Sequence, residues 1–235
     1  MKIKQLGNGG GFDFDQTNSS FLISNDDETD YTLFDCGYNI MSRLLDEKDL
    51  IDIEKINNVI ISHMDEDHIG NLKMLIYWRY FNYNKTTNIV CGPRVEEDLR
   101  KYLNKIEYEL IGGLPTNTTM YYFDNRATYY NMKFIEEYHG VIPSYGVLFY
   151  KKEGFYDGIF ISGDTKANYN IEKKLKNPIS LKNIKYIFHD YSHWDNVTRN
   201  VHACKTDFDL EYSEEFRNKT IKYHTGDSFN SDWLM

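Results

Sequence analysis

The sequence predicts an α/β chain in which strands and helices alternate, and three observations carry that expectation. Val59-Ile60-Ile61 is a short β-branched run that stops abruptly in polar residues, the pattern of a buried strand delivering side chains to a sheet edge. Ile69, Leu72, Ile76 and Tyr80 then recur at helical spacing, predicting a helix after the polar stretch. The unit repeats at once: Ile89-Val90-Cys91 ends in Gly92-Pro93, and Val95, Leu99, Tyr102 and Ile106 follow at helical spacing.

Between the first strand and its helix lies His63-Met64-Asp65-Glu66-Asp67-His68, read as the connecting loop. A single loop histidine is usually a solvated polar side chain. Imidazoles and carboxylates packed this densely are instead the donor set of a metal site. The segment Ser62 to Leu72, with its apolar strand before and Ile69-Gly70-Asn71-Leu72 after, resembles the His-x-His-x-Asp-His loop of the metallo-β-lactamase fold superfamily. Asp65 stands where that pattern has its second histidine. The resemblance implies a four-layer αββα sandwich, each half giving a sheet and helices, with ligands at strand ends along one edge.

Length and composition set limits. At 235 residues the chain can bury a substantial core, and a single domain over 1–235 is expected. A net charge of −9, from 27 basic and 36 acidic residues, argues against a long nucleic acid as partner, since that requires phosphate neutralisation. The N-terminus lacks an apolar signal core, and no apolar run approaches the roughly 18 residues of a membrane span. No membrane partner and a cytoplasmic location are expected. Cys36, Cys91 and Cys204 are scattered without paired spacing, as buried reduced thiols are.

Along the chain, Ile3 to Leu6 reads as a first strand, and Gly7 to Gly11 as a tight turn needing positive φ; it lacks the Gly-Lys-Ser/Thr ending of a phosphate loop. Phe21-Leu22-Ile23 and Tyr31 to Phe34 form a hairpin around the turn Asn25 to Asp30. Asp35-Cys36-Gly37 closes it. A strand is expected near Met120 to Phe123, and another from Asn131 to Tyr138 leads into His139. Gly146 to Tyr150 and Phe155 to Ser162 make a hairpin ending in Ser162-Gly163-Asp164-Thr165. Ile184 to Phe188 is a strand running into His189-Asp190, with His193 beyond; neither histidine is given a role. Asp207 to Phe216 reads as one short helix, and Ile221-Lys222-Tyr223 as a strand ending at His224.

Several of these segments resemble the ribonuclease Z-like branch: His139 to Gly146 its third-histidine segment, Ser162 to Thr165 its Ser-Gly-Asp-Thr, and Val201-His202-Ala203 its His-Ser-Thr proton-donor segment. By that resemblance His63, Asp65 and His139 hold one divalent cation, Asp67, His68 and His224 a second, and Asp164 bridges them. His202 is then the proton donor, and Asp35 orients a ligand from behind. Zinc is the first expectation for both ions; the hard oxygen of Asp65 also admits manganese or another harder cation.

A single tight hairpin separates His139 from Asp164, leaving no room for the tRNA-holding arm of ribonuclease Z. The Gly-rich start, the Asp35-Cys36-Gly37 turn, the His-x-x-x-Asp-His loop at His63 to His68, and His189-Asp190 followed by Val201-His202 together resemble the anti-Pycsar proteins, phosphodiesterases that degrade cyclic mononucleotides such as cyclic CMP and cyclic UMP and so counter antiphage signalling. The resemblance implies a 3′,5′-cyclic nucleotide opened to its 5′-monophosphate, and a homodimer. A ribonuclease Z-like nuclease, or a catalytically silent member that binds metal or nucleotide, stays open beside it.

Overall fold

The computed structural model describes residues 1–48, 50–103, 109–111, 120–123, 129–151, 158–176, 179–193 and 201–235. The chain divides into two compact units, Met1–Gly113 with Gly226–Met235, and Leu114–Thr225. Among the described residues no helix is long and apolar enough to cross a membrane.

The first unit is built on a six-stranded sheet of order β1-β2-β3-β4-β5-β6. Strands β1 (Lys2–Gly7), β2 (Ser20–Ser24) and β3 (Tyr31–Phe34) are antiparallel neighbours, so the hairpin expected around Asn25 to Asp30 is present. Helix α1 (Ile40–Asp46) then crosses over to β4 (Ile56–Ile61), which runs parallel to β3. Beyond β4 the expected single helix is broken into one turn, α2 (Glu66–Ile69), and the longer α3 (Leu72–Tyr83). Asp67 and His68 therefore sit on helical backbone and not in an open loop. Strand β5 (Asn88–Cys91), helix α4 (Glu96–Leu103) and strand β6 (Glu109–Ile111) complete the parallel half, and Ile106 lies outside the described residues. Strands β2 and β3 are buried along their whole length, which is why their sequences run apolar instead of alternating.

On α3, Tyr80 is exposed and its neighbour Arg79 is fully buried. The guanidinium is tolerated because it donates to Thr86 O at 2.5 Å, Thr87 Oγ1 at 2.8 Å, Asn57 Oδ1 at 2.9 Å and Glu54 O at 3.3 Å. A charge with that many partners outcompetes a tyrosine for the inner face. One local expectation fails: the glycines of residues 7–11 do not adopt positive φ. They admit close backbone approach: a Cβ on Gly7 would lie 2.0 Å from Asn18 O.

The second unit carries another six-stranded sheet, of order β12-β11-β10-β9-β8-β7. Strands β7 (Met120–Phe123), β8 (Tyr129–His139), β9 (Ile142–Lys151) and β10 (Gly158–Ile161) form an antiparallel meander. Helix α5 (Tyr169–Leu175) crosses to β11 (Ile184–Asp190), parallel to β10. The segment expected as one helix is two, α6 (Lys205–Glu211) and α7 (Glu214–Asn218), before β12 (Thr220–Tyr223) adds in parallel. Ser213 causes the break by capping α7, its hydroxyl accepting from Phe216 N. The core joins Ile135, Leu148, Phe160, Ile187, Phe208 and Phe216. All three cysteines are buried, and burial pushes the Cys91 thiol up to about 12.

Arg79→Ala should cost about 3 kcal/mol or more, because each stranded buried acceptor costs about 1–3 kcal/mol. Urea unfolding checks this; an unchanged midpoint would show that the guanidinium network is not structural.

Candidate functional site

Every sequence-predicted site residue of the first unit lies at the carboxyl end of a parallel strand or just beyond it. Asp35 follows β3 and His63 follows β4, where open α/β sheets bind ligands. Asp35 adopts φ +60°, a left-handed conformation that is costly outside glycine. That turn is held by hydrogen bonds from Asp35 N to Ile60 O (2.8 Å) and Cys36 N to His68 O (2.7 Å). Gly37 is required next to it, since a Cβ there would collide with Asp67 O at 1.9 Å.

The buried Asp35 carboxylate fixes both histidine tautomers. Its Oδ1 accepts from Ser62 N (2.8 Å), while its Oδ2 accepts from the Ser62 hydroxyl and from His68 Nδ1, each at 2.7 Å. Ser62 has one hydroxyl proton and gives it to Asp35, so at 2.9 Å its oxygen must accept from His63 Nδ1–H. Both imidazoles are thereby left with the Nε2 lone pair for a cation. Their rings lie 4.1 Å apart between centroids. His63 Nε2 is 3.6 Å from Asp65 Oδ2, and His68 Nε2 is 3.4 Å from Asp67 Oδ2. Asp65, at the start of α2, makes no side-chain capping bond there.

In the second unit, Asp164 follows β10, His139 ends β8, Asp190 ends β11 and His224 follows β12. One candidate ligand atom each from Asp164, Asp190, His202 and His224 falls within 4.8 Å of the others. His224 Nε2 lies 3.6 Å from Asp164 Oδ2, and His224, like Asp35, is held at positive φ, +67°. His139 is buried, its ring centroid 5.3 Å from that of His202. The His202 and His224 rings are 4.9 Å apart.

Asp190, which carried no role in the sequence reading, organises this cluster. Its Oδ2 accepts from His202 Nδ1 and Thr165 N, both at 2.8 Å, and its Oδ1 lies 3.5 Å from His224 Nδ1. Burial alone would push the Asp190 carboxyl up and the His202 imidazole down. Their mutual attraction, with Asp164 adding to it at His202, reverses both: Asp190 stays below the usual carboxylate range and His202 above the usual imidazole value. His202 is also the accessible member, with its side chain 25 % exposed against 7 % for His224 and 3 % for Asp164. Glu137 is different: burial pushes its carboxyl up to about 8. His189 belongs to the core, its Nδ1 donating to Asp190 O and its Nε2 accepting from Tyr212 Oη, each at 2.7 Å. His193 packs at 5.6 Å against the Tyr191 ring. The readable signal for Asp190 is the one that marked Asp164 and His224, an apolar strand ending in a polar side chain.

These donor sets fit divalent cations. Two ligands about 2.1 Å from one tetrahedral ion lie about 3.4 Å apart, longer than a good hydrogen bond. Among the sequence-predicted ligands, three carboxylate–imidazole pairs, two in the first unit and one in the second, stand at 3.4–3.6 Å. The orienting contacts of Asp35 and Asp190 on imidazole Nδ1 are 2.7 and 2.8 Å. The site thus separates short bonds that aim the rings from longer gaps suited to an ion.

A family model described as "Anti-Pycsar protein Apyc1" matches residues 1–233. A curated anti-Pycsar protein Apyc1 from Paenibacillus harenae is 26 % identical over 245 residues, covering 98 % of this chain and 92 % of that protein. Among solved structures, the metallo-β-lactamase fold protein YhfI from Bacillus subtilis aligns with a TM-score of 0.75 at 18 % identity, over 95 % of this chain and 86 % of that one. The short form of human tRNase Z aligns at 0.71 and 15 % identity, over 100 % and 99 % of the two chains. These structural likenesses fix the fold as that of the metallo-β-lactamase superfamily, the α/β class expected from the sequence.

Asp35→Asn keeps the size of the side chain and tolerance of positive φ but presents an amide to His68 Nδ1–H. Metal affinity should fall about 10- to 100-fold. Chelator competition measures it, with the thermal midpoint as control; unchanged affinity would remove the orienting role.

Proposed function

Since the chain belongs to the anti-Pycsar protein Apyc1 family, we propose that it is a metal-dependent phosphodiesterase that opens 3′,5′-cyclic mononucleotides to 5′-monophosphates. The observation that carries this reading is the pairing of ion-spaced donors with a partly exposed histidine, His202, whose Nδ1 is held by the buried Asp190 carboxylate. His63, Asp65, Asp67 and His68 on the first unit, and His139, Asp164 and His224 on the second, are the proposed ligands. Two divalent cations in such a setting polarise a phosphoryl oxygen and make water an effective nucleophile at neutral pH. The chain's own part is proton delivery and aim. His202 gives its proton to the departing O3′, and Asp190, bonded to the other ring nitrogen, holds the imidazole in place and favours its charged form before the transfer. Met74, Tyr77 and Phe81 are exposed on α3 and are the surface we assign to the homodimer that the resemblance implies.

Purified protein should hydrolyse a panel of cyclic mononucleotides to 5′-monophosphates, and His202→Ala should lower kcat about 10²- to 10⁴-fold while metal content on the same sample is retained. A metal-loaded wild type with no turnover on any of them would sink the enzymatic reading and leave a silent member of the fold.

Asp65 sets which ion is preferred. Its carboxylate is a harder donor than the imidazole it replaces, and it favours manganese or iron(II) relative to zinc. Asp65→His should raise zinc affinity and lower manganese affinity, read by isothermal titration of the metal-stripped protein; weaker zinc binding by the variant contradicts this.

A further inference from the structure

The segment Asn8 to Ser19, between β1 and β2, is a braced loop whose tip reaches a proposed ligand. Its neck is closed by Asn8 N and Gly9 N, both donating to Thr17 O at 3.0 and 2.8 Å, and by Ser19 N to Gly9 O at 2.9 Å. Asn39 clamps one side, its Oδ1 accepting from Asn18 N and its Nδ2 donating to Gln16 O, each at 2.8 Å. Gly226 N ties the other side to Asn8 O at 2.8 Å. At the tip, Tyr38 Oη donates to Gly11 O at 3.4 Å. A Cβ at Gly11 would stand only 3.3 Å from the Asp67 carboxylate, so the backbone passes directly against that side chain.

The next residues of this tip are the anomaly. Phe12 is 95 % exposed and Phe14 78 % exposed, the latter with its ring centroid 6.5 Å from that of Tyr38. A lone exposed apolar side chain needs no explanation. Two phenylalanines on a hydrogen-bonded loop that abuts a proposed metal ligand call for a ligand surface. We propose that Phe12 and Phe14 are the platform on which the nucleotide base stacks while its phosphate would be held by the cation that Asp67 helps to bind. The proposal rests on the phosphodiesterase reading and adds to it the residues that recognise the base. Stacking uses the π-face that every base has, so the platform binds purines and pyrimidines alike and gives little discrimination among them.

The test compares wild type, Phe12→Ala/Phe14→Ala and Phe12→Trp on cyclic CMP, cyclic AMP and ribose 3′,5′-cyclic phosphate lacking a base. The double variant should raise KM for both nucleotides about tenfold or more, and lower the preference for nucleotide over the base-free diester by a similar factor, with kcat changing less. Phe12→Trp should keep the low KM. Because both side chains lie in water, the thermal midpoint should hold. An unchanged KM, or an equal loss on the base-free diester, overturns the platform. A wild type that cleaves the base-free diester equally well also overturns it while sparing the activity. If wild type cleaves nothing, the activity reading fails, and titration of 5′-CMP against inorganic phosphate decides the platform. A base-dependent gain in affinity that the double variant loses supports it; no such gain overturns it.

Discussion

A buried carboxylate that takes hold of an imidazole by Nδ1 is the interaction on which both halves of this chain rest. In the first unit it is Asp35 on His68 at 2.7 Å, in the second Asp190 on His202 at 2.8 Å. Each acid also secures backbone: Asp35 accepts from Ser62 N and Asp190 from Thr165 N, so ring orientation and strand ends are fixed by one side chain. A carboxylate without these donors would be costly to bury; with them Asp35 is satisfied on both oxygens and Asp190 on Oδ2, and each serves as a rigid anchor. The two acids then differ in what they set. Asp35, through Ser62, frees two Nε2 atoms for coordination, whereas Asp190 favours the charged form of an accessible ring.

Backbone strain marks the same places. The described non-glycine residues at positive φ are Glu28, Asp35, Asn84 and His224. Asn84 follows α3 as its left-handed C-cap, a position where asparagine is ordinary, and Glu28 lies in a hairpin turn. Asp35 and His224 have no such excuse. Their conformations persist because neighbouring hydrogen bonds overdetermine them, and both belong to the candidate site. Tight glycines accompany the first: Gly37 and Gly11 each approach Asp67 more closely than a side chain comfortably permits.

Much of this was legible because strands and ligands leave local marks. Val59 to Ile61 running into His63, and Ile221 to Tyr223 running into His224, announce both a buried strand and its polar end within a few residues. What the sequence hid depends on partners distant along the chain. Arg79 displaces Tyr80 from the inner face of α3 only because Glu54, Asn57, Thr86 and Thr87 converge on it. Asp190 takes its importance from Thr165, His202 and His224, none of which adjoins it in sequence. The glycines after β1 read as a turn because glycine permits positive φ; their actual use, close approach to Asn18 and Asp67, has no local signature.

The departure at Asp65 is best understood against this division of labour. His63 and His68 are aimed through Nδ1 by Ser62 and Asp35, so replacing either ring would strand buried donors and acceptors behind it. Asp65 makes no capping bond at the start of α2, and its side chain is 37 % exposed. A donor at this position can change from imidazole to carboxylate while Ser62 and Asp35 keep their bonds to His63 and His68. In the proposed site, position 65 is therefore one where the hardness of the donor set can change while the orienting carboxylate, the strand ends and the glycine contacts stay as they are.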